Sequence, residues 1–358
     1  MNTTNDQKDI QDKPTSRRRS CLGCLGRGAI GLVIFLMVVL MAGLIYQSAA
    51  SASDLKKYPP LGELYDVGDY KMHLFCTGEG SPTVILEAGA GNPSIGWSVV
   101  QSEVEGFTRV CSYDRLGFGW SEPASEPLTR EQVANLLHEL LQTANVLSPY
   151  ILVGHSAGGE YIRAYAREYP DEVLGMVFVD SSHEGESLLY PAKFLNFNRY
   201  QLLTQKLCQF LSPFGIVRLI KLWSTFLPEA LTSTDIGKAV TSTLYRSGYC
   251  KAAYAEATVL GSPGQPGESG SLGDLPLIVL SAGAFNDNIP NPVVTAMGGP
   301  DVLAQVVQVH DEIQQELVNL STTGKLIIAE KSGHEIHWYQ AELVIDSIRT
   351  IVEQVRYK

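Results

Sequence analysis

Tyr150-Ile151-Leu152-Val153-Gly154-His155-Ser156-Ala157-Gly158-Gly159 is the stretch whose reading decides the fold. Tyr150 to Val153 is a short apolar run of the kind that forms a buried strand, and Glu160 to Arg167 reads as a helix. The chain between them must turn sharply, with glycines where side chains would collide and Ser156 at the apex. A bare Gly-x-Ser-x-Gly is common by chance. One that follows an apolar strand and opens a helix presents a serine hydroxyl for chemistry, so Ser156 is the candidate nucleophile.

The segments on either side repeat the same alternation. Tyr65 to Cys76 reads as two antiparallel strands around Gly68-Asp69, and Thr83 to Glu87 as an apolar strand ending in Ala88-Gly89-Ala90-Gly91. Ile95 to Glu105 suits a helix, and Thr108 to Asp114 is the next strand. Thr129 to Val146 is the strongest helix: Thr129 and Gln132 form a capping box, and Val133, Leu136, Leu137, Leu140 and Leu141 repeat at helical spacing. Leu174 to Val179 is a strand ending at Asp180. Alternation of short apolar strands with helices predicts a mostly parallel sheet covered on both faces, with ligands at the carboxyl ends of its strands.

The alternation stops at Ser181. Phe194 to Leu211, Phe214 to Phe226 and Gly237 to Val259 carry helical spacing without a strand, which predicts a helical cap over 181–273. Pro276 to Ser281, Val302 to Leu320, Lys325 to Glu330 and Gln340 to Val355 then resume strand, helix, strand, helix. The core therefore comprises 61–180 and 274–358.

Of 358 residues, 45% are hydrophobic and 18% charged, which suits a globular chain with a large core. A net charge of -11 argues against nucleic acid as a partner. The first 28 residues are basic, with Arg17-Arg18-Arg19, and the next eighteen, Ala29 to Tyr46, carry no charge. With Gly28 and Gln47 this run reaches the length that crosses a bilayer, about 20 residues. The expectation is a cytoplasmic tail over 1–28, a signal-anchor over 29–47, a linker over 48–60 and a catalytic part outside the cell membrane. The alternative is secretion after cleavage at Ala50-Ser51-Ala52. Cys21 and Cys24 have no second pair to complete a zinc site.

A serine nucleophile needs a base and a group that orients the base. His334 follows the last apolar strand in Ser332-Gly333-His334-Glu335, at the same sheet edge as Ser156, and is the candidate base. His337 could also reach the site. His155 should point away from Ser156, His73 and His138 read as ordinary strand and helix residues, and His310 as helix surface. Two acids keep the order serine, acid, histidine. Asp180, one residue past its strand, is preferred, and Asp287, in a looser loop, is the alternative. The oxyanion hole calls for two preorganised amides, assigned to Ala157 and Ala90. No metal or cofactor is required.

These residues resemble the α/β-hydrolase fold family over roughly Tyr65 to Val355, as a membrane-anchored, bacterial-type member. The elbow carries the resemblance, together with Tyr113-Asp114-Arg115-Leu116-Gly117-Phe118-Gly119-Trp120-Ser121, similar to the family's loop after its fourth strand, and Ser332-Gly333-His334. The resemblance implies an eight-stranded, mostly parallel sheet with a helical cap after strand six, and a structural role for Asp114 and Arg115. The chain departs from the family twice. Ala88-Gly89 stands where relatives carry His-Gly, and the family's Gly-x-x-Asp spacing from Gly283 falls on Asn286. The family's sheet order makes Cys76 and Cys111 neighbours, so they could be bridged, as could Cys208 and Cys250 in the cap; four buried thiols are the alternative.

The expected function is a serine hydrolase acting on a small-molecule ester or acyl substrate, a carboxylic ester or thioester. Cap aromatics Phe194, Phe197, Tyr200, Phe210, Phe214, Trp223 and Phe226 would form either an apolar lid or the cap's own core. The alternatives are an aminopeptidase or amidase of the proline iminopeptidase-like branch, and a non-catalytic ligand-binding protein on the same scaffold.

Overall fold

A computed structural model describes residues 21–226, 233–262, 270–284, 289 and 291–357. Eight strands form one sheet: β1 Glu63–Val67, β2 Tyr70–Thr77, β3 Thr83–Glu87, β4 Val110–Tyr113, β5 Tyr150–His155, β6 Val173–Val179, β7 Leu277–Ala282 and β8 Lys325–Ala329. Their spatial order is β1-β2-β4-β3-β5-β6-β7-β8. β1 and β2 form an antiparallel hairpin, β2 pairs antiparallel with β4, and all later pairs are parallel. β3, β4 and β5 are buried along their whole length, which is why they read as unbroken apolar runs rather than alternating ones. β8 is the exposed edge, with only Ala329 fully buried.

The helices are α1 Cys21–Lys57, α2 Ser98–Val104, α3 Arg130–Thr143, α4 Gly158–Glu168, α5 Glu186–Leu189, α6 Ala192–Leu211, α7 Ile216–Leu219, α8 Leu222–Phe226, α9 Asp235–Leu244, α10 Tyr249–Leu260, α11 Asn291–Met297, α12 Pro300–Val318, α13 Ile336–Tyr339 and α14 Ala341–Arg356. α3, α4 and α12 pack on one face of the sheet through Leu137, Leu140, Ile162, Tyr165, Ile313 and Leu317. α2 and α14 cover the other through Val100, Val104, Val344, Ile348 and Ile351. Burying each such aliphatic side chain contributes about 1.5–3 kcal/mol. The capping box at Thr129 and Gln132 is present at the start of α3.

Three sequence expectations change. The linker expected over 48–60 is helical as far as Lys57, because Ser51-Ala52-Ser53 continues α1 and only Pro59-Pro60 ends it. The helix expected from Phe214 to Phe226 is broken into a 3-10 turn at Ser212–Phe214, α7 and α8, since Gly215 takes a left-handed conformation at φ 71°. The helix expected from Gly237 to Val259 is split into α9 and α10, with Gly248 as the N-cap of the second. α5 to α10 all lie between β6 and β7.

Two disulfides are present. Cys76 and Cys111 are directly opposed on β2 and β4, and Cys208 of α6 is joined to Cys250 of α10. α1 carries an apolar window of mean hydropathy 2.8 with none of it buried in the protein. Among its apolar residues, Ile34, Phe35 and Val38 are more than half exposed.

Candidate functional site

The turn after β5 is tight on two sides. A side chain at Gly154 would meet the Gly158 backbone at 2.7 Å, and one at Gly158 would meet the Glu87 carbonyl at 2.6 Å. Ser156 itself sits at φ 52°, a conformation that costs a non-glycine residue about 1–3 kcal/mol and persists only where neighbours enforce it. Enforcement comes from β6: the Ser156 N–H donates to the Val179 carbonyl at 3.1 Å, and Ser182 N–H donates back to the Ser156 carbonyl at 2.9 Å. Ala157 is the N-cap of α4, so its amide lies at the positive end of that helix.

Asp180 follows β6 directly and is also at positive φ, 45°. Its N–H donates to Leu280 O at 2.7 Å, and its Oδ1 accepts the Ala282 N–H at 2.7 Å, which fixes the carboxylate against β7. His334 Nδ1–H donates to Asp180 Oδ2 at 2.7 Å. Ser156, Asp180 and His334 line one cavity of about 430 Å³ with Tyr190, Phe194 and Met297. Burial disfavours the Asp180 charge, but the hydrogen bonds from His310 and His334 outweigh it and hold the carboxyl well below the usual carboxylate range. For His334, desolvation pulls the pKa down, and the Asp180 hydrogen bond and charge more than reverse this, to about 9. The imidazole keeps 41% of its side-chain surface open. The alternative acid, Asp287, lies outside the described residues.

The expectation for His310 is corrected. It is buried, and its Nε2–H donates to Asp180 Oδ1 at 2.8 Å, on the opposite oxygen from His334. It shares the buried face of α12 with Val302, Val306, Ile313 and Leu317. His155 points away from the cavity, its Nε2–H donating to the His334 carbonyl at 3.0 Å. His337 is buried against the Trp97 and His155 rings, at centroid distances of 4.7 and 4.4 Å, and does not line the Ser156 cavity. Burial, with the two neighbouring histidines, pushes His337 well below its ordinary value. His155, Glu335 and His337 bring their ligand atoms within 4.8 Å of one another and could hold a cation, but the His155 nitrogen nearest Glu335 is the one already bonded to His334.

The loop after β3 is clamped from two directions. Arg115 Nη1–H donates to the Ala88 carbonyl at 2.7 Å and Nη2–H to the Gly89 carbonyl at 2.8 Å. Arg115 also pairs with Glu87 and, at 2.9 Å, with Glu256 of α10. Glu256 Oε2 in turn accepts the Gly91 N–H at 2.7 Å. Ala90 is thus an exposed turn residue whose neighbours on both sides are tied down. Desolvation raises the Glu87 carboxyl to about 6 against the pull of Arg115. Asp114 accepts from His73 Nδ1–H at 2.8 Å, Ser94 N–H at 2.6 Å and Trp120 N–H at 2.9 Å, which anchors the loop after β4. Glu256 was missed from sequence; Glu87, a charge closing a buried strand, was the available signal that a buried cation and its partners lay nearby.

A family model described as alpha/beta hydrolase fold matches residues 82–213. The chain is 27% identical over 315 residues to the protein named "Probable transporter efuK" of Hormonema carpetanum, covering 82% of this chain and 43% of that one. The chain therefore spans less than half of that relative's length. It is 26% identical to an AB hydrolase superfamily protein of Gibberella zeae, covering 77% of this chain and 87% of that one. Among solved structures, a thermophilic esterase from Thermogutta terrifontis superposes with a TM-score of 0.57 at 18% identity, over 82% of this chain and 98% of the esterase. The chain has the α/β-hydrolase fold.

Proposed function

We propose that the protein is a serine hydrolase that cleaves an ester-type bond, a carboxylic ester or thioester, through an acyl-enzyme on Ser156. The observation that carries this reading is the Asp180–His334 hydrogen bond in the same cavity as a strained Ser156. In the reaction, His334 Nε2 takes the Ser156 proton while Oγ attacks the substrate carbonyl. The oxyanion is held by the Ala157 and Ala90 amides. The His334 proton then passes to the leaving group, the bond to it breaks, and water repeats the sequence to release the acid. Asp180 holds the imidazole in the tautomer with Nε2 free and stabilises the imidazolium. The names of the esterase and hydrolase-superfamily relatives agree with this chemistry.

The same reading places α1 across the cell membrane, with the basic N-terminus in the cytoplasm and the hydrolase outside. Its exposed apolar surface and the two disulfides, which persist in oxidising compartments, support it. Rapid mixing with p-nitrophenyl acetate tests the acyl-enzyme. A burst of nitrophenol and an intact mass increased by one acetyl group on Ser156 are expected; turnover with neither would contradict it.

One observation favours a second reading, release of an N-terminal residue from a peptide. Glu186 lines the Ser156 cavity and could receive a substrate amine. Faster turnover of aminoacyl p-nitroanilides than of matched esters would favour that reading over ester cleavage.

A further inference from the structure

The helix read as membrane-spanning does not stand apart from the rest of the chain. At Gly43 a side chain would strike the Phe214 carbonyl at 2.6 Å, so α1 and the turn after α6 are in backbone contact there. Tyr46 packs on Gly215. Gln47 is buried, with its Nε2–H donating to Tyr245 O at 2.6 Å, and Arg218 of α7 pairs with Asp54 at 2.5 Å. Gly43 lies one helical turn inside the last residue of the uncharged run, so the Ser212–Phe214 turn reaches the depth of that turn.

α6 leads directly into this contact, and one of its faces is bare. Tyr200, Leu203, Leu207 and Phe210 follow one another at intervals of three, four and three, and are 65%, 64%, 58% and 60% exposed. Leu219 and Ile220, just beyond the contact, are equally open at 64% and 60%. Such a stripe facing water is costly, and a bilayer is the one apolar partner already adjoining it through α1. The adjacent face of α6 walls a groove of about 590 Å³ against α10, which reaches Ala90. Glu186, Tyr190 and Asn198 line both this groove and the Ser156 cavity.

We propose that the α6 stripe is seated in the outer leaflet beside α1, and that the groove between α6 and α10 takes the acyl chain of a bilayer-partitioned ester directly from that leaflet to Ser156. The inference rests on the reading of α1 as membrane-spanning and of Ser156 as nucleophile.

The test is lipid photocrosslinking of the full chain in phosphatidylcholine vesicles, with benzoylphenylalanine placed singly at Phe35, Phe210 or Leu147. Leu147 is 81% exposed but lies on the loop before β5. Lipid adducts at 35 and 210 and none at 147 are expected. An adduct at 35 without one at 210 overturns the seating of α6 while leaving the anchor intact. No adduct at 35 removes the anchor and the inference together, and equal adducts at all three positions overturn specific seating. For delivery, the doubly substituted Leu203→Ser, Leu207→Ser chain should lose about tenfold in turnover of a long-chain ester held in vesicles relative to a soluble acetate ester. An unchanged ratio overturns delivery through this face.

Discussion

His310 donates from Nε2 to Asp180 Oδ1 at 2.8 Å, so the carboxylate that orients His334 is shared between two imidazoles. Asp311 Oδ1 lies 3.2 Å from the other His310 nitrogen, so a protonated ring is satisfied on both sides. Burial opposes that charge, and the Asp180 hydrogen bond outweighs it, raising His310 above its ordinary value. A proton on His310 would draw off part of the Asp180 charge that His334 otherwise feels.

The pH profile should report this arrangement. In the proposed mechanism His334 acts as a base only when neutral, so kcat/KM should rise with pH through a limb near 9. His310→Gln keeps a donor to Asp180 but removes the ring that Asp180 favours protonated, and the limb should move up by about 1 pH unit. A limb that stays in place or moves to lower pH would show that His310 carries no charge relevant to the base. The groups of this cluster titrate together, so the limb belongs to the set rather than to one residue.

Stability should respond in the same cluster with a definite sign. The His334 pKa is raised on folding, so its contribution is complete below 6.5 and is lost as pH rises through about 9. The Asp180 pKa is lowered, so its contribution is present above 3.8 and is lost as pH falls toward the depressed folded value. Thermal melts of wild type and Asp180→Asn across this range should converge at low pH; parallel curves would contradict the linkage.

Asp180→Asn and Asp287→Asn, compared at matched folding, separate the two acids. The first should lower kcat by about 10³–10⁴-fold, because the imidazole loses its tautomer and its counter-charge. A larger loss in the second would transfer the role.

Glu256→Ala should act on the oxyanion loop without touching substrate. Freed from Glu256, the Gly91 amide shifts with its neighbour Ala90, and kcat should fall about 10–100-fold while KM changes less. Glu256→Gln, which can still accept the Gly91 N–H, should restore part of the loss. A change confined to KM would indicate a contact with substrate instead.

Peptide mapping under non-reducing conditions should find Cys76 joined to Cys111 and Cys208 to Cys250. Removing the second bridge should destabilise the α6–α10 pair by about 2–4 kcal/mol. Alkylation of Cys76, Cys111, Cys208 and Cys250 without prior reduction would contradict both bridges.

The sheet was legible in the sequence because its inner strands are buried on both faces and therefore unbroken runs of apolar side chains. The elbow was legible because close backbone approach leaves glycine as the only residue that fits at 154 and 158. Ser156, Asp180 and His334 were brought to one edge by their positions just past strand ends. What was not legible depends on partners far apart in the chain. His310 reads as surface until its helix is seen to turn that face onto Asp180, and Glu256 has meaning only beside Arg115 and Gly91. The full length of α1 was not legible because the small residues Ser51, Ala52 and Ser53 permit a helix as readily as a linker.

Labelling with a fluorophosphonate probe, followed by mapping of the modified peptide, tests the central claim most directly. The wild-type chain should carry one adduct, on Ser156, lost in Ser156→Ala. No adduct on the folded wild type, or undiminished labelling of Ser156→Ala, would contradict the assignment of Ser156 as nucleophile.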